Sequence, residues 1–340
     1  MIMMAATIKD VAREAGVAVC TVSFAVNGSA HVAEATKKRI FDAIEKLNYR
    51  PNQSARGLVT KKTNNIGLVV EDTVDGLENT ILLDVVKGLG EATGDNNYDL
   101  LLSFQKPSTN KLADHLLDVY RKQSADGLIL MGAAINQPYG ELIKNRFPFV
   151  LLGRPAMPGV CHSVNADNEQ GAYEAVKYLI GKGHRRIALI TPCSLEVDAS
   201  LDRYNGYRQA MEELGDGFDE GLVEIGSFEE DSGYTETEKL LSRVERPTAI
   251  IAGRDVIASR VVEKAQELGY KVPEDLAVIG FDNTAVSQLA RPSITSIELP
   301  MRQMGLEAAK LLMQLIDGEI RFDDIQTIVL PCTVIEREST

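Results

Sequence analysis

The stretch from Thr7 to Asn27, TIKDVAREAGVAVCTVSFAVN, constrains this chain more than any other. Ile8, Val11, Ala12 and Ala15 recur at helical spacing, which predicts a short amphipathic helix over residues 8–15. Thr7 stands at its N-cap, with Asp10 three residues on, where a capping box places its acid. Gly16 follows the last periodic residue, a position that favours left-handed backbone. Val17 opens a tight turn, and Val19, Val22 and Val26 form the apolar stripe of a second helix ending at Asn27-Gly28. Two short helices around a Gly-containing turn make a helix-turn-helix, whose second helix enters the DNA major groove. They equally make an ordinary helical hairpin within a larger core, so spacing alone leaves both readings open.

Charge separates the two. Residues 1–62 hold ten Lys/Arg against five Asp/Glu, a net of +5. The whole chain is −13, so residues 63–340 carry −18. A small basic head on a strongly acidic body suits a segment that meets phosphate while the remainder is repelled from it.

At 340 residues the chain exceeds a typical domain, so at least two units are expected. It has no apolar run near the length of a membrane span, and MIMMAATIKD has the features of no export signal. Cys20, Cys161, Cys193 and Cys332 are far apart and form no CxxC pair. Neither a disulfide framework nor a zinc site is indicated, and a reducing cytoplasm is the expected location. There is no HExxH, no GxGxxG after a strand, no GxxxxGK[ST] and no GxSxG. The expectation is therefore a protein without cofactor or metal that is not an enzyme.

Residues 34–47 read as a third helix (Ile40, Ala43, Ile44 and Leu47 in register), closing a head over residues 1–50. Residues 51–62, containing NQSARGL, are weakly helical at best, as a flexible linker would be. From residue 63 strands and helices alternate. Buried-strand runs appear at 66–70, 98–103, 127–131, 149–153, 186–190, 248–252, 277–281 and 325–330. Amphipathic helices fall at about 80–94, 109–123, 168–182, 202–214, 232–244, 255–268 and 300–317. This alternation predicts parallel sheets with helices on both faces, in two doubly wound lobes with a ligand cleft between them.

TIKDVAREAGV, TVS, the Asn-Gly turn, LNYRPN and AR-x-L together resemble the start of the LacI/GalR family of bacterial transcription regulators. The resemblance extends over nearly the whole chain. It implies a three-helix helix-turn-helix head, a hinge, and a periplasmic-binding-protein-like α/β core of two parallel-sheet lobes. Lobe 1 is expected over about 63–165 and 295–324, and lobe 2 over about 166–294 and 325–340, with crossings near 165, 295 and 324. Operator contacts are expected from Thr7, Val19, Cys20, Thr21, Ser23, Phe24, Asn27, Tyr49, Asn52, Ala55 and Leu58. The resemblance makes residues 51–62 a hinge that folds on DNA, with Leu58 the wedge that unstacks a base step in the minor groove. Val19 and Phe24 depart from the polar groups common there; they suit thymine methyls but make no bidentate base contact. Ala18 and Ala33 replace the usual Ser/Thr caps, at about 1 kcal/mol each.

Effector contacts are expected, on the same resemblance, from Asp167, Arg203, Phe228, Arg254 and Asp282. In DNEQGA, Asn168 reads as the helix cap and Asp167 as the residue reaching the cleft; GHRRI (183–187) is a second family signature. Arg203 suits bidentate bonding to hydroxyls or an anion. Phe228 matches a ring-stacking aromatic or a core residue, and Asp282 an acceptor for hydroxyls or the start of a turn. Arg254 stands where relatives carry Asn: it favours an acidic ligand, extends to a larger saccharide, or pairs with Asp255. The segment EDTVDGLENT (71–80) also departs from the family pattern.

The reading is a cytoplasmic homodimer that binds a pseudo-palindromic operator, a repressor of a carbohydrate-utilisation operon released by a sugar or oligosaccharide. A corepressor-type regulator answering to an anionic metabolite or purine is the alternative. A solute-binding protein of a transporter is the alternative from another class. Leu58→Ala is expected to weaken operator affinity and reduce DNA bending together, measured by gel shift on circularly permuted operator fragments.

Overall fold

The computed structural model describes residues 6–26, 32–49, 62–71, 80–105, 109–132, 139–154, 161–214, 218–227, 229 and 231–340. Asn27, Asn52, Ala55, Leu58, Phe228 and nearly all of 71–80 lie outside the described residues. Contacts divide the chain into two units, Met1–Thr63 and Asn64–Thr340.

The head holds α1 (Ile8–Ala15), α2 (Val19–Val26) and α3 (Glu34–Lys46). The Asp10 carboxylate accepts hydrogen bonds from the Thr7 backbone N–H at 3.0 Å and the Thr7 hydroxyl at 2.6 Å, closing the start of α1. α1 stops at Gly16, whose φ of 63° is left-handed, and the Val17 N–H returns to the Ala12 carbonyl at 3.0 Å. From α3, Arg39 donates to the Ala15 and Gly16 carbonyls, and Lys46 pairs with Glu14 at 2.6 Å. Cations thus close the carbonyl end of α1, just where the chain turns into α2. Ala33 caps α3 with no side-chain bond, as expected from its missing hydroxyl. Val11, Ala12, Ala15, Val22, Ala25, Val32, Ile40 and Ala43 form the head core. Val19 is not among them, so the inward stripe of α2 is Val22, Ala25 and half-buried Val26, not the expected valine triplet.

The larger unit contains strands β1 (Asn65–Glu71), β2 (Asp99–Gln105), β3 (Gly127–Met131), β4 (Phe149–Leu152), β5 (His162–Ala166) and β6 (Ile187–Thr191). β7 (Val223–Ile225), β8 (Ala249–Ala252), β9 (Ala277–Phe281), β10 (Thr295–Glu298), β11 (Thr327–Leu330) and β12 (Thr333–Ile335) follow. Its helices are α4 (Thr80–Asp95), α5 (Thr109–Lys122), α6 (Gly140–Lys144), α7 (Asn168–Gly181) and α8 (Asp198–Glu213). The remainder are α9 (Tyr234–Leu241), α10 (Asp255–Glu267), α11 (Ala285–Leu289) and α12 (Met301–Asp317).

The strands form two sheets, ordered β11-β5-β4-β3-β1-β2 and β12-β10-β9-β8-β6-β7. Every described pairing is parallel except β10 with β12. In each sheet the strand order reverses beside the first strand, which marks the strand C-terminal ends as the ligand-binding edge. Two of the expected crossings move. β10 belongs to the second sheet and β11 to the first, so the chain crosses at about residues 299–300 and 331–332 rather than at 295 and 324. The reason is that pairing, not apolar content, assigns an edge strand: Thr327–Leu330 aligns with Ser163–Ala166 on β5.

β5 itself reads HSVNA and is buried at every position. Its His, Ser and Asn hid it from a search for apolar runs, and β7, β10 and β12 are too short to show a period. In lobe 2, α7 and α8 pack so closely that a Cβ on Gly206 would overlap the Glu169 carbonyl oxygen. Gly206→Ala is expected to force the helices apart and to cost about 1–3 kcal/mol in urea unfolding.

Candidate functional site

On α2, Val22 and Ala25 face inward while Val19 (41 % exposed), Cys20 and Phe24 (53 % exposed) face out. Thr21 and Ser23 are half-buried between them. Large apolar side chains presented to water on a basic head suit contact with base edges and methyl groups rather than with a folded core. Tyr49 is half-buried against the head core, so its ring supports the head's packing. The Thr7 hydroxyl is already engaged by Asp10.

In the larger unit a charged cluster centres on Arg203 of α8, which is 5 % exposed. Its Nε donates to Asn168 Oδ1 at 2.9 Å, its Nη1 to the Gly253 carbonyl, and its Nη2 faces Asp282 Oδ1 at 3.5 Å. The guanidinium carbon stacks 4.3 Å from the centre of the Phe281 ring. One cation thereby joins the start of α7, the body of α8 and the C-terminal ends of β8 and β9. One expected role moves here: Asn168 is not the cap of α7 but reaches Arg203, while Asp167 caps the helix, accepting the Gln170 N–H at 3.0 Å, and also lines the cavity between the lobes. A carboxylate at a helix N-terminus is favoured by the dipole, which explains why the acid took the cap.

Asp282 follows β9 with φ of 98°, a conformation that costs a non-glycine residue about 1–3 kcal/mol. Burial pushes its carboxyl above the usual range, while Arg203 and Arg254 pull it back. Asp255 is 1 % exposed, and burial, aided by Asp282, pushes its carboxyl up to about 6. Its oxygens accept from the Thr284 N–H (2.5 Å), the Thr284 hydroxyl (2.9 Å) and the Ser296 hydroxyl (2.6 Å). Arg254 caps α10 beside it. The GHRRI block lies at the opposite end of β6 and is structural: His184 bonds Thr248, Arg185 the Ile180 carbonyl, and Arg186 Glu245 and Asp219.

A cavity of about 180 Å³ opens between the lobes beside this cluster. Gly153, Asn165 and Thr327 line it from lobe 1, and Asn168, Glu169 and Asp202 from the start of lobe 2. Arg154, after β4, reaches across to Asp198 on α8 at 3.8 Å. Asp202, Asn165 and the Arg154–Asp198 pair were not among the expected site residues. Asp202 could have been noticed as the neighbour of Arg203, but nothing local points to Arg154 or Asn165.

A basic three-helix head and a body of two doubly wound lobes, with a charged cluster at the strand C-terminal ends of the second, are the parts of a DNA-binding regulator. The profile of bacterial regulatory proteins of the lacI family matches residues 7–52, and that of the periplasmic binding protein-like domain matches residues 176–340. Catabolite control protein A of Priestia megaterium is 36 % identical over 338 residues, 99 % of this chain and 100 % of that protein. The transcriptional repressor PurR of Vibrio atlanticus is 31 % identical over 311 residues, 91 % of each chain. The solved complex of the transcriptional regulator CelR with cellobiose is 32 % identical, with a TM-score of 0.75 over 98 % of this chain and 100 % of that one. The chain belongs to the LacI family: it is a transcription regulator and, like these relatives, not an enzyme.

Arg203→Ala would leave Asp282 buried without its partner, so it is expected to destabilise the larger unit by about 3–5 kcal/mol in urea unfolding, beyond any effect on ligand response. Asp255→Ala should cost about 2–4 kcal/mol by stranding the donors of Thr284 and Ser296, whereas Asp255→Asn, which can still bond both, should cost much less.

Proposed function

We propose that this regulator is a homodimeric repressor of a carbohydrate-utilisation operon, released from a pseudo-palindromic operator by a saccharide held between its lobes. The observation that carries the reading is the interlobe cavity, whose polar lining is made of amide and carboxylate groups suited to hydroxyls. The cellobiose complex of CelR, a relative over the full chain, supports the same ligand class.

Operator reading falls to the exposed face of α2, with Val19, Cys20, Thr21, Ser23 and Phe24, and to the hinge with Leu58. Shape readout compensates for the few bidentate contacts such side chains make. A homodimer would cover exposed apolar groups such as Leu83 on α4 and Leu101 on edge strand β2, and a two-fold protein needs matching operator half-sites. Ligand closure acts on the contact across the cleft, where Arg154 and Asp198 sit at 3.8 Å. A ligand shifts the lobes only as far as it binds one arrangement better than the other. No helix among the described residues is long and apolar enough to cross a membrane, and the cytoplasm is the place where such a regulator meets DNA.

A second reading has its own support. Arg254 adds positive charge beside buried Asp282, and PurR is a relative over nine-tenths of the chain; both favour a purine or anionic corepressor. A thermal-shift screen of the purified protein against saccharides, sugar phosphates and purines separates them. A true effector at about one hundred times its dissociation constant adds about 2.7 kcal/mol to unfolding. Under the first reading the hit is a neutral or amino-bearing saccharide that lowers operator affinity in footprinting; a purine hit that raises it supports the second.

A further inference from the structure

The side chains of α2 exclude most of the contacts by which a helix reads bases. The helix is VCTVSFAV, with no Arg, Lys, Asp, Glu, Asn or Gln, and so holds no side chain able to bond a base bidentately. Residues 19, 20, 23 and 24 fall on one side of it, and buried Val22 and Ala25 on the other. The outward side is therefore exposed Val19, Cys20 and Phe24 with half-buried Ser23. Its two largest members are apolar groups left in water, although the head has a core of its own that they could have joined.

Each base offers its own edge in the major groove. Guanine presents two acceptors and is met by Arg or Lys, adenine is met by Asn or Gln, and the cytosine amino group by Asp or Glu. α2 has none of these. A serine hydroxyl both donates and accepts, and a thiol does so weakly, so Ser23 and Cys20 discriminate little. What remains is the C5-methyl group of thymine, which apolar side chains meet. The basic charge of the head holds phosphates, and phosphate contacts set register without reading sequence. From Val19 to Phe24 the helix rises about 7.5 Å, five residues at about 1.5 Å each. That is about two base steps of roughly 3.4 Å, so the two side chains reach different base pairs.

We infer that α2 reads its operator through C5-methyl groups, with Val19 and Phe24 each seated on the methyl of a different thymine in the half-site. The inference rests on the proposed reading of α2 as the helix that meets the bases. It has a consequence for regulation. 5-Methylcytosine carries its methyl at the same place on the groove edge as thymine, so it satisfies the same apolar contact, and cytosine methylation at either position raises operator affinity.

The test selects duplexes from a random-sequence library with the full chain, then measures affinity for the selected duplex by fluorescence anisotropy at one fixed salt concentration. Deoxyuridine, which is thymidine without the methyl, replaces each thymidine in turn. Two positions in each half-site are expected to lose about fourfold apiece, the worth of one buried methyl, and the others little. At those positions cytosine should bind more weakly than 5-methylcytosine by a similar factor. Val19→Ala should abolish the deoxyuridine penalty at one position and Phe24→Ala at the other, whereas Phe24→Leu, still large and apolar, should retain it. Both side chains are exposed, so each variant is expected to unfold at the wild-type temperature. Absence of a penalty at every thymidine overturns the methyl readout, and a changed selected sequence in Phe24→Ala would then still keep α2 as the helix that meets the bases. Penalties that persist in both alanine variants place the methyl contacts elsewhere in the chain and overturn the inference. Alanine variants that alter neither affinity nor selected sequence remove α2 from the bases, and the reading beneath the inference falls with it.

Discussion

The buried guanidinium of Arg203 is the interaction on which the core's functional end depends. A cation taken out of water is tolerated only when its donors are met, and here an amide, a carbonyl, a carboxylate and an aromatic face meet it. Those partners come from the start of α7 and the ends of β8 and β9, elements far apart along the chain. Once Arg203 is placed, Asn168 and Asp282 are placed with it. The close approach of α7 and α8 at Gly206 is the steric condition that lets this happen.

The same device appears in smaller form in the head. Arg39 reaches from α3 to the carbonyls that end α1, so the turn between α1 and α2 is held by a charged side chain as well as by a left-handed glycine. The consequence is that α2 needs little core of its own. Val22 and Ala25 anchor it, and the larger Val19 and Phe24 are left outside, available to DNA.

Much of this architecture was legible because its signals are local. Apolar runs marked the central strands, helical periodicity marked most helices, and the capping acid Asp10 and stop glycine Gly16 sit where their residue types predict. Legibility failed where burial and polarity part company. β5 is wholly buried yet carries His162, Ser163 and Asn165, and the short edge strands have no period to read. The cap of α7 shows the same limit at the scale of one residue: both Asp167 and Asn168 can cap a helix, and it is Asp167 that does so while Asn168 meets Arg203.

By itself the sequence determined a basic helix-turn-helix head on an acidic α/β body and the family to which the chain belongs, and the resemblance drew attention to Arg203 and Asp282. Head and body follow from composition and spacing and the family from motifs, which are properties of neighbours along the chain. Tertiary structure alone decided that β11 completes the first sheet and β10 the second, that Arg154 meets Asp198 across the cleft, and that Asn165 and Asp202 share a cavity. Each of those depends on which strand and helix ends converge, and convergence is set by pairing and packing between segments that no local pattern connects.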